Sequence, residues 1–92
     1  MQNFYCVSGE RVRVSKVYDF ILKNSNLSLN QLNTFSDILC DVLGLENVGF
    51  DEVTVDEFDS EFIEHFKNNK SAMEAWKIVK TELQINNCEI WV

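Results

Sequence analysis

Phe35-Ser36-Asp37-Ile38-Leu39-Cys40-Asp41-Val42-Leu43-Gly44 is the stretch on which the reading of this chain turns. At about 100° per residue of an α-helix, Phe35, Ile38, Leu39, Val42 and Leu43 fill one arc and face a core. Ser36, Asp37, Cys40, Asp41 and Gly44 fill the other. Gly44 stands where a left-handed residue ends a helix. Asp37 and Asp41 are like charges one turn apart, which is mildly destabilising. Asp41 also sits in the last turn, where the free carbonyl ends already make the potential negative. A carboxylate there costs up to about 1 kcal/mol with no structural return, and local rules broken without compensation mark functional positions.

Upstream of this helix, Phe4-Tyr5-Cys6-Val7 is a β-prone run closed by the turn signal Ser8-Gly9. Val14, Val17, Tyr18, Ile21 and Leu22 then recur at helical spacing, which predicts an amphipathic helix opened by Ser15 and running to about Lys23. Asn24 to Asn33 reads as a long loop pinned to the core by Leu27, Leu29 and Leu32. Loops of that length are often functional. Downstream, Val53-Thr54-Val55, led by Asp51 and Glu52, alternates as a strand. Asp59 to Phe66 is a short helix with Phe62, Ile63 and Phe66 inward. Ser71-Ala72-Met73-Glu74 has the form of a capping box opening a helix that buries Ala72, Ala75, Trp76, Val79 and Leu83. Asn86-Asn87 turns the chain into a last strand, Cys88-Glu89-Ile90-Trp91-Val92.

The order strand, two helices, strand, two helices, strand predicts an α/β fold in two layers. Its sheet would be three-stranded and parallel, in order 1-2-3, with the helices packed on one face. The 92 residues make one domain, 1–92, without proline, linker or repeat.

Composition limits the function classes. The net charge of −7 disfavours nucleic acid and anionic membranes as partners and favours a cationic one. Residues 1–36 carry +2 and residues 66–92 carry +1, so the excess comes from residues 37–65. Those hold Asp37, Asp41, Glu46, Asp51, Glu52, Asp56, Glu57, Asp59, Glu61 and Glu64, with no Lys or Arg. Cys6, Cys40 and Cys88 are widely spaced and fit neither a disulfide framework nor a zinc site. They fit a reducing cytoplasm. The start, Met1-Gln2-Asn3-Phe4-Tyr5, lacks the basic region of a signal peptide, and no apolar run is long enough to span a bilayer. His65 is the one histidine, so a histidine-based metal centre or nucleophilic relay lacks parts. Gly9, Gly44 and Gly49 form no phosphate-cradling loop, and Asp51 to Asp56 lacks the glycine and spacing of a calcium loop. Cys40 beside Asp41 is a poor nucleophile, because an anionic neighbour raises a thiol's pKa. The chain is expected to bind rather than catalyse, without cofactor or metal.

With this order of elements the chain resembles the barstar family of small intracellular ribonuclease inhibitors along nearly its whole length. Val7-Ser8-Gly9-Glu10-Arg11-Val12-Arg13 matches the turn that follows the family's first strand. Asp37-Ile38-Leu39-Cys40-Asp41-Val42-Leu43 stands at its signature helix, and Ser71-Ala72-Met73-Glu74-Ala75-Trp76-Lys77 with the Cys88 segment at its last helix and strand. The resemblance implies an immunity protein in which Asp41 plugs a basic toxin's active site, in place of a substrate phosphate. Asp37 would lie one turn earlier on the same face, with Cys40 beside it. Gln31, Leu32, Asn33 and Thr34 before the helix, and Gly44 and Glu46 after it, would complete the footprint. The toxin would be a ribonuclease, held as a 1:1 complex with a monomeric inhibitor. The family's paired tyrosines and glycine fall on Gln31, Leu32 and Asn33, and its tryptophan on Cys40, which implies a different nuclease. The alternative is an acidic nucleic-acid mimic or adaptor, which would depend on Asp56, Glu57, Asp59, Glu61 and Glu64 instead.

Overall fold

A computed structural model describes residues 3–45 and 51–92. Along the chain, β1 (Arg11–Arg13), α1 (Val14–Asn24) and α2 (Leu29–Leu43) are followed by β2 (Glu52–Val53), α3 (Val55–Phe66), α4 (Lys70–Ile85) and β3 (Glu89–Trp91). The expected alternation of strands and helix pairs is present, but the expected parallel sheet is not. The strand order is β1-β3-β2, with β3 parallel to β1 and antiparallel to β2.

The direction follows from how the helices return the chain. A parallel neighbour needs a crossover that brings the chain back to the end where the first strand started. Here α3 and α4 are joined by only Lys67, Asn68 and Asn69 and pack on each other, so they go out and come back. The chain re-enters the sheet at the end where β2 left it, and β3 runs the other way. β3 takes the central place because Ile90 pairs with Val12 on one side and Val53 on the other. All three side chains are fully buried. Their neighbours Arg11, Arg13, Glu52 and Glu89 are exposed, so one face of the sheet meets the core and the other meets solvent.

Several element boundaries differ from those read off the sequence, each for a local reason. Phe4 to Val7 forms no strand. It alternates as a strand does, with Phe4 buried and Tyr5 and Val7 exposed, but the place beside β3 belongs to Arg11–Arg13. α1 has Arg13, not Ser15, at its N-cap, without a side-chain cap. α2 begins six residues earlier than expected, at Leu29, so Gln31 to Thr34 are helix rather than loop. Ser28 Oγ accepts the Gln31 N–H at 3.2 Å, and Gln31 Oε1 accepts the Ser28 N–H at 2.8 Å. That is a complete capping box. Leu27 and Leu32, at the two positions that flank such a box, are both buried, while Leu29 is exposed. Thr54 and Glu57 form a second capping box, which ends β2 at Val53 and starts α3 at Val55. α4 is capped by Asn69, whose side chain accepts from Ala72 N–H, two residues before the expected Ser71. Ser71 instead donates to Asn26 Oδ1 at 2.9 Å.

Gly44 closes α2 as expected, at φ 67° and ψ 25°, with its N–H on Cys40 O. A Cβ there would meet nothing within 4 Å, so its cost is conformational only. Gly44→Ala is expected to destabilise by about 1–2 kcal/mol and Gly44→Asn by less, as urea unfolding would show. Equal stability of the glycine and alanine forms would contradict the left-handed cap.

The core is aromatic at its centre. Phe35 of α2 meets Phe58 edge-on at 5.4 Å and Phe62 at 5.6 Å, and Phe58 lies 4.6 Å from Trp76 of α4. Ala72, Ala75, Trp76, Val79 and Leu83 are buried as the spacing predicts. Of the three residues expected inward on α3, Phe62 is fully buried and Phe66 half-buried, but Ile63 is exposed. Phe58, absent from that expectation, is fully buried because α3 starts a turn earlier. Among the described residues no helix is long and apolar enough to cross a membrane.

Candidate partner-binding surface

α2 turns Phe35, Leu39 and Leu32 into the core. The buried arc is rotated from the expected one: Val42 is 57% exposed and Ile38 half-exposed, while Ser36 and Cys40 are half-buried. The rotation follows from Leu32, which adds a buried turn at the helix start and draws the inward face toward the Ser36 side. Asn30, Asn33, Thr34, Asp37, Asp41 and Gly44 are all exposed, and at helical spacing they share the outward face.

Of the residues expected to meet a partner, the structure therefore brings Asn33, Thr34, Asp37, Asp41 and Gly44 together on one face. Gln31 is exposed at the N-terminal turn, though its side chain is used in the capping box. Leu32 is fully buried and cannot touch a partner, a correction that follows from the longer helix. Cys40 sits at the edge of the face, half-buried. Glu46 lies outside the described residues.

The acids divide by what holds them. Asp56 and Glu57 lie in the first turn of α3, where the helix dipole favours negative charge. Glu57 is also committed to the Thr54 cap. Asp59 accepts the Trp76 indole N–H at 2.7 Å and the Lys80 ammonium at 2.9 Å. Asp37 and Asp41 have neither a hydrogen bond nor an ion pair among the described residues; the two salt bridges there join Lys16 to Glu10 and Lys80 to Asp59. The region around them lacks any basic counterweight, because residues 24–66 contain no Lys or Arg.

Beneath this face lies a polar cluster that the sequence did not point to. Burial holds the Cys40 thiol above its ordinary pKa, and Asp37, Asp41 and Asp51 push it further the same way. Cys40 is thus protonated and a weak nucleophile at neutral pH. Tyr18 from α1 points into the same neighbourhood. Burial raises its hydroxyl from 10.0 to about 12, Ser36 tempers the shift, and Cys40 and Asp37 add to it. The hydroxyl makes no hydrogen bond of normal geometry and is out of contact with solvent, as is Asp51 Oδ2. Because the fold holds this phenol neutral, the folding free energy is at its full value below the unfolded pKa of about 10 and declines as pH rises from there through about 12. Tyr18→Phe is expected to leave stability at pH 7 unchanged or raise it by up to about 1 kcal/mol, since it removes an unsatisfied buried hydroxyl. It should also flatten the loss of stability above pH 10, the ordinary value of that phenol. An unchanged alkaline slope of the unfolding free energy would count against it.

Alongside the acidic face, α2 and α3 border an open surface depression of about 290 Å³. Asn30, Gln31, Thr34 and Ile38 form one wall, His65 and Phe66 the other, and Phe35 contributes from the core side. Its surface is mostly apolar. His65 stands edge-on to Phe35 at 5.7 Å, its Nδ1 2.9 Å from Glu61 O. Ile38, which helical spacing alone assigned to the core, is half-exposed and lines this pocket. Among the described residues, no three His, Cys, Asp or Glu side chains gather to hold a metal ion.

Comparison of the chain with protein-family models, with curated proteins and with solved structures finds no match.

Proposed function

We propose that the protein is an immunity protein, an inhibitor that holds a basic toxin, a ribonuclease, by covering its active site with the outward face of α2. The observation that carries this reading is the state of Asp37 and Asp41. They are exposed, one turn apart and unpaired among the described residues, in a segment of chain with no Lys or Arg. An unpaired carboxylate on a rigid helix is ready to meet the Arg, Lys and His groups with which a ribonuclease grips phosphate. The resemblance of the α2 sequence to the barstar family's signature helix supports the same assignment. The sheet does not share in it, since its strands run in the order β1-β3-β2 with β2 antiparallel to β3 instead of all parallel. The pocket between α2 and α3 would receive an apolar side chain of the same partner, giving the charged contact a desolvated neighbour.

In this reading Asp41 replaces a phosphate, Asp37 reinforces it, and Asn33 and Thr34 supply neutral hydrogen bonds. The protein binds rather than turns over substrate. It acts as a monomer in a 1:1 complex in the cytoplasm, with no need of nucleic acid, membrane or cofactor. The competing reading, a nucleic-acid mimic built on Asp56 to Glu64, is less favoured because Glu57 and Asp59 already serve the fold. The test is to isolate what co-purifies with the protein from the producing cell and to measure whether a small basic protein among it cleaves RNA and is inhibited by this protein. Inhibition should be stoichiometric and weakened by Asp41→Ala. Inhibition that survives Asp41→Ala but is lost when Glu61 and Glu64 are neutralised would overturn the α2 assignment.

A further inference from the structure

Cys6 and Cys88 lie 82 positions apart in the chain, yet their sulfurs are 3.0 Å apart, about 1 Å more than a disulfide bond of about 2.05 Å. Spacing along the sequence gives no hint of this pairing. Cys88 Sγ also lies 3.1 Å from Val7 O, and Cys6 Sγ lies 3.6 Å from both Glu82 O and Asn86 Nδ2. The two thiols thus sit where the N-terminal segment crosses the junction of α4 and β3. That segment belongs to no sheet ladder. Its attachments include the Gly9 N–H to Asn86 O bond, the Glu89 N–H to Glu10 O bond, and Phe4 packed edge-on against Phe20 at 5.5 Å.

We propose that Cys6 and Cys88 form a reversible intrachain disulfide site, which locks the N-terminal segment onto the start of β3 when the surrounding thiol pool is oxidised. The oxidant is a low-molecular-weight disulfide. Cys6 is half-buried between the exposed Tyr5 and Val7, and Cys88 is 6% exposed, so the incoming molecule meets Cys6 first. The Cys6 thiolate attacks one sulfur of the oxidant, breaks its S–S bond and releases one small thiolate. Cys88, already in contact, then attacks Cys6 Sγ in the mixed disulfide and releases the second. The two cysteines lose two electrons and two protons; the oxidant's sulfurs gain both and leave as two thiols. Reduction reverses both steps. Burial and the neighbouring Cys88 hold the Cys6 thiol up at about 11, so exchange is slow at neutral pH and accelerates as pH rises. The reading is independent of the partner surface, from which it differs in both residues and chemistry.

Closing so long a loop restricts the unfolded chain strongly, and the melting temperature is expected to rise by roughly 10 °C or more. The test uses the Cys40→Ser protein, which leaves only this pair, incubated with oxidised glutathione at alkaline pH. The expected product has lost two hydrogens, retains no glutathione, yields a linked Cys6–Cys88 peptide on a non-reducing map, and melts higher until dithiothreitol is added. In the same background Cys88→Ala should retain one glutathione on Cys6, which reports entry through the exposed thiol even if melting changes. A stable glutathione adduct on Cys6 with Cys88 still free, or a linked product that melts lower than the reduced protein, would overturn the proposal.

Discussion

Trp76→Ala is expected to be the most damaging single substitution in the fold, costing roughly 4–8 kcal/mol. Removing a fully buried aromatic ring costs about 3–5 kcal/mol through lost burial and the cavity left behind. Trp76 is 1% exposed and lies against Phe58 at 4.6 Å and Phe62 at 5.6 Å, so a cavity there would open in the middle of the aromatic cluster. A further ~1–3 kcal/mol arises because Asp59 Oδ1 loses the indole N–H it accepts at 2.7 Å and keeps only Lys80. A domain of this size is stable by about 5–14 kcal/mol, so the variant should melt at least about 20 °C lower or be unfolded at 25 °C. Trp76→Phe fills most of the space and drops only the N–H, with an expected cost of about 1–3 kcal/mol. Urea unfolding followed by circular dichroism gives the comparison. A Trp76→Ala protein within about 1 kcal/mol of the parent would show that the ring is not packed as described.

The second large effect is on binding. If the proposed complex with a basic ribonuclease forms, Asp41→Ala is expected to weaken it by about 2–5 kcal/mol, or roughly 30- to 5,000-fold. Much of that loss would come from leaving the partner's cation buried without a counter-ion. Asp37→Ala should do less, and because the two lie one turn apart their effects should not add. The stability of the free protein should move the other way. Asp41→Asn relieves a like-charge contact with Asp37 and an unfavourable charge at the end of α2, and should gain a few tenths of a kcal/mol. Asp41→Asn also removes the charge the partner would meet, so if it is more stable alone yet binds far more weakly, its defect cannot be misfolding. Association should slow steeply with added salt, since the Debye length falls from about 10 Å at 0.1 M to about 3 Å at 1 M. A loss below about threefold for Asp41→Ala would exclude this carboxylate as the central contact.

How far the site was legible depended on whether its signals were local. The outward placement of Asp37 and Asp41 follows from helical period and charge, both local, and both residues are exposed. Gly44 needed only its place after an apolar stripe. The start of α2 was legible too, in Ser28 and Gln31, but the density of Asn and Ser around them resembled a loop. That misreading left Leu32 as a loop anchor still free to meet a partner, where the longer helix buries it fully. Ile38 shows the opposite error: helical spacing assigned it inward, yet it lines the pocket beside α3. An arc on a helical wheel gives the direction of burial only to within the width of the stripe, and the neighbouring helix decides which edge is covered.

By itself the sequence determined the alternation of strands and helix pairs, the buried stripe of α4, the burial of Val17, Tyr18 and Ile21 in α1 (though not of Phe20), the stop at Gly44 and the acidic character of the middle of the chain. Each is encoded in residues a few positions apart, where backbone geometry and side-chain spacing act directly. Only the tertiary structure decided the strand order β1-β3-β2 and the reversed direction of β2. The same holds for the meeting of Cys6 with Cys88, the burial of Tyr18 near Asp37 and Cys40, and the engagement of Asp59 by Trp76 and Lys80. Those depend on where two helices return the chain, and on which of several apolar segments wins the place beside Ile90. That competition is settled by packing across the whole domain, which no short window of sequence contains.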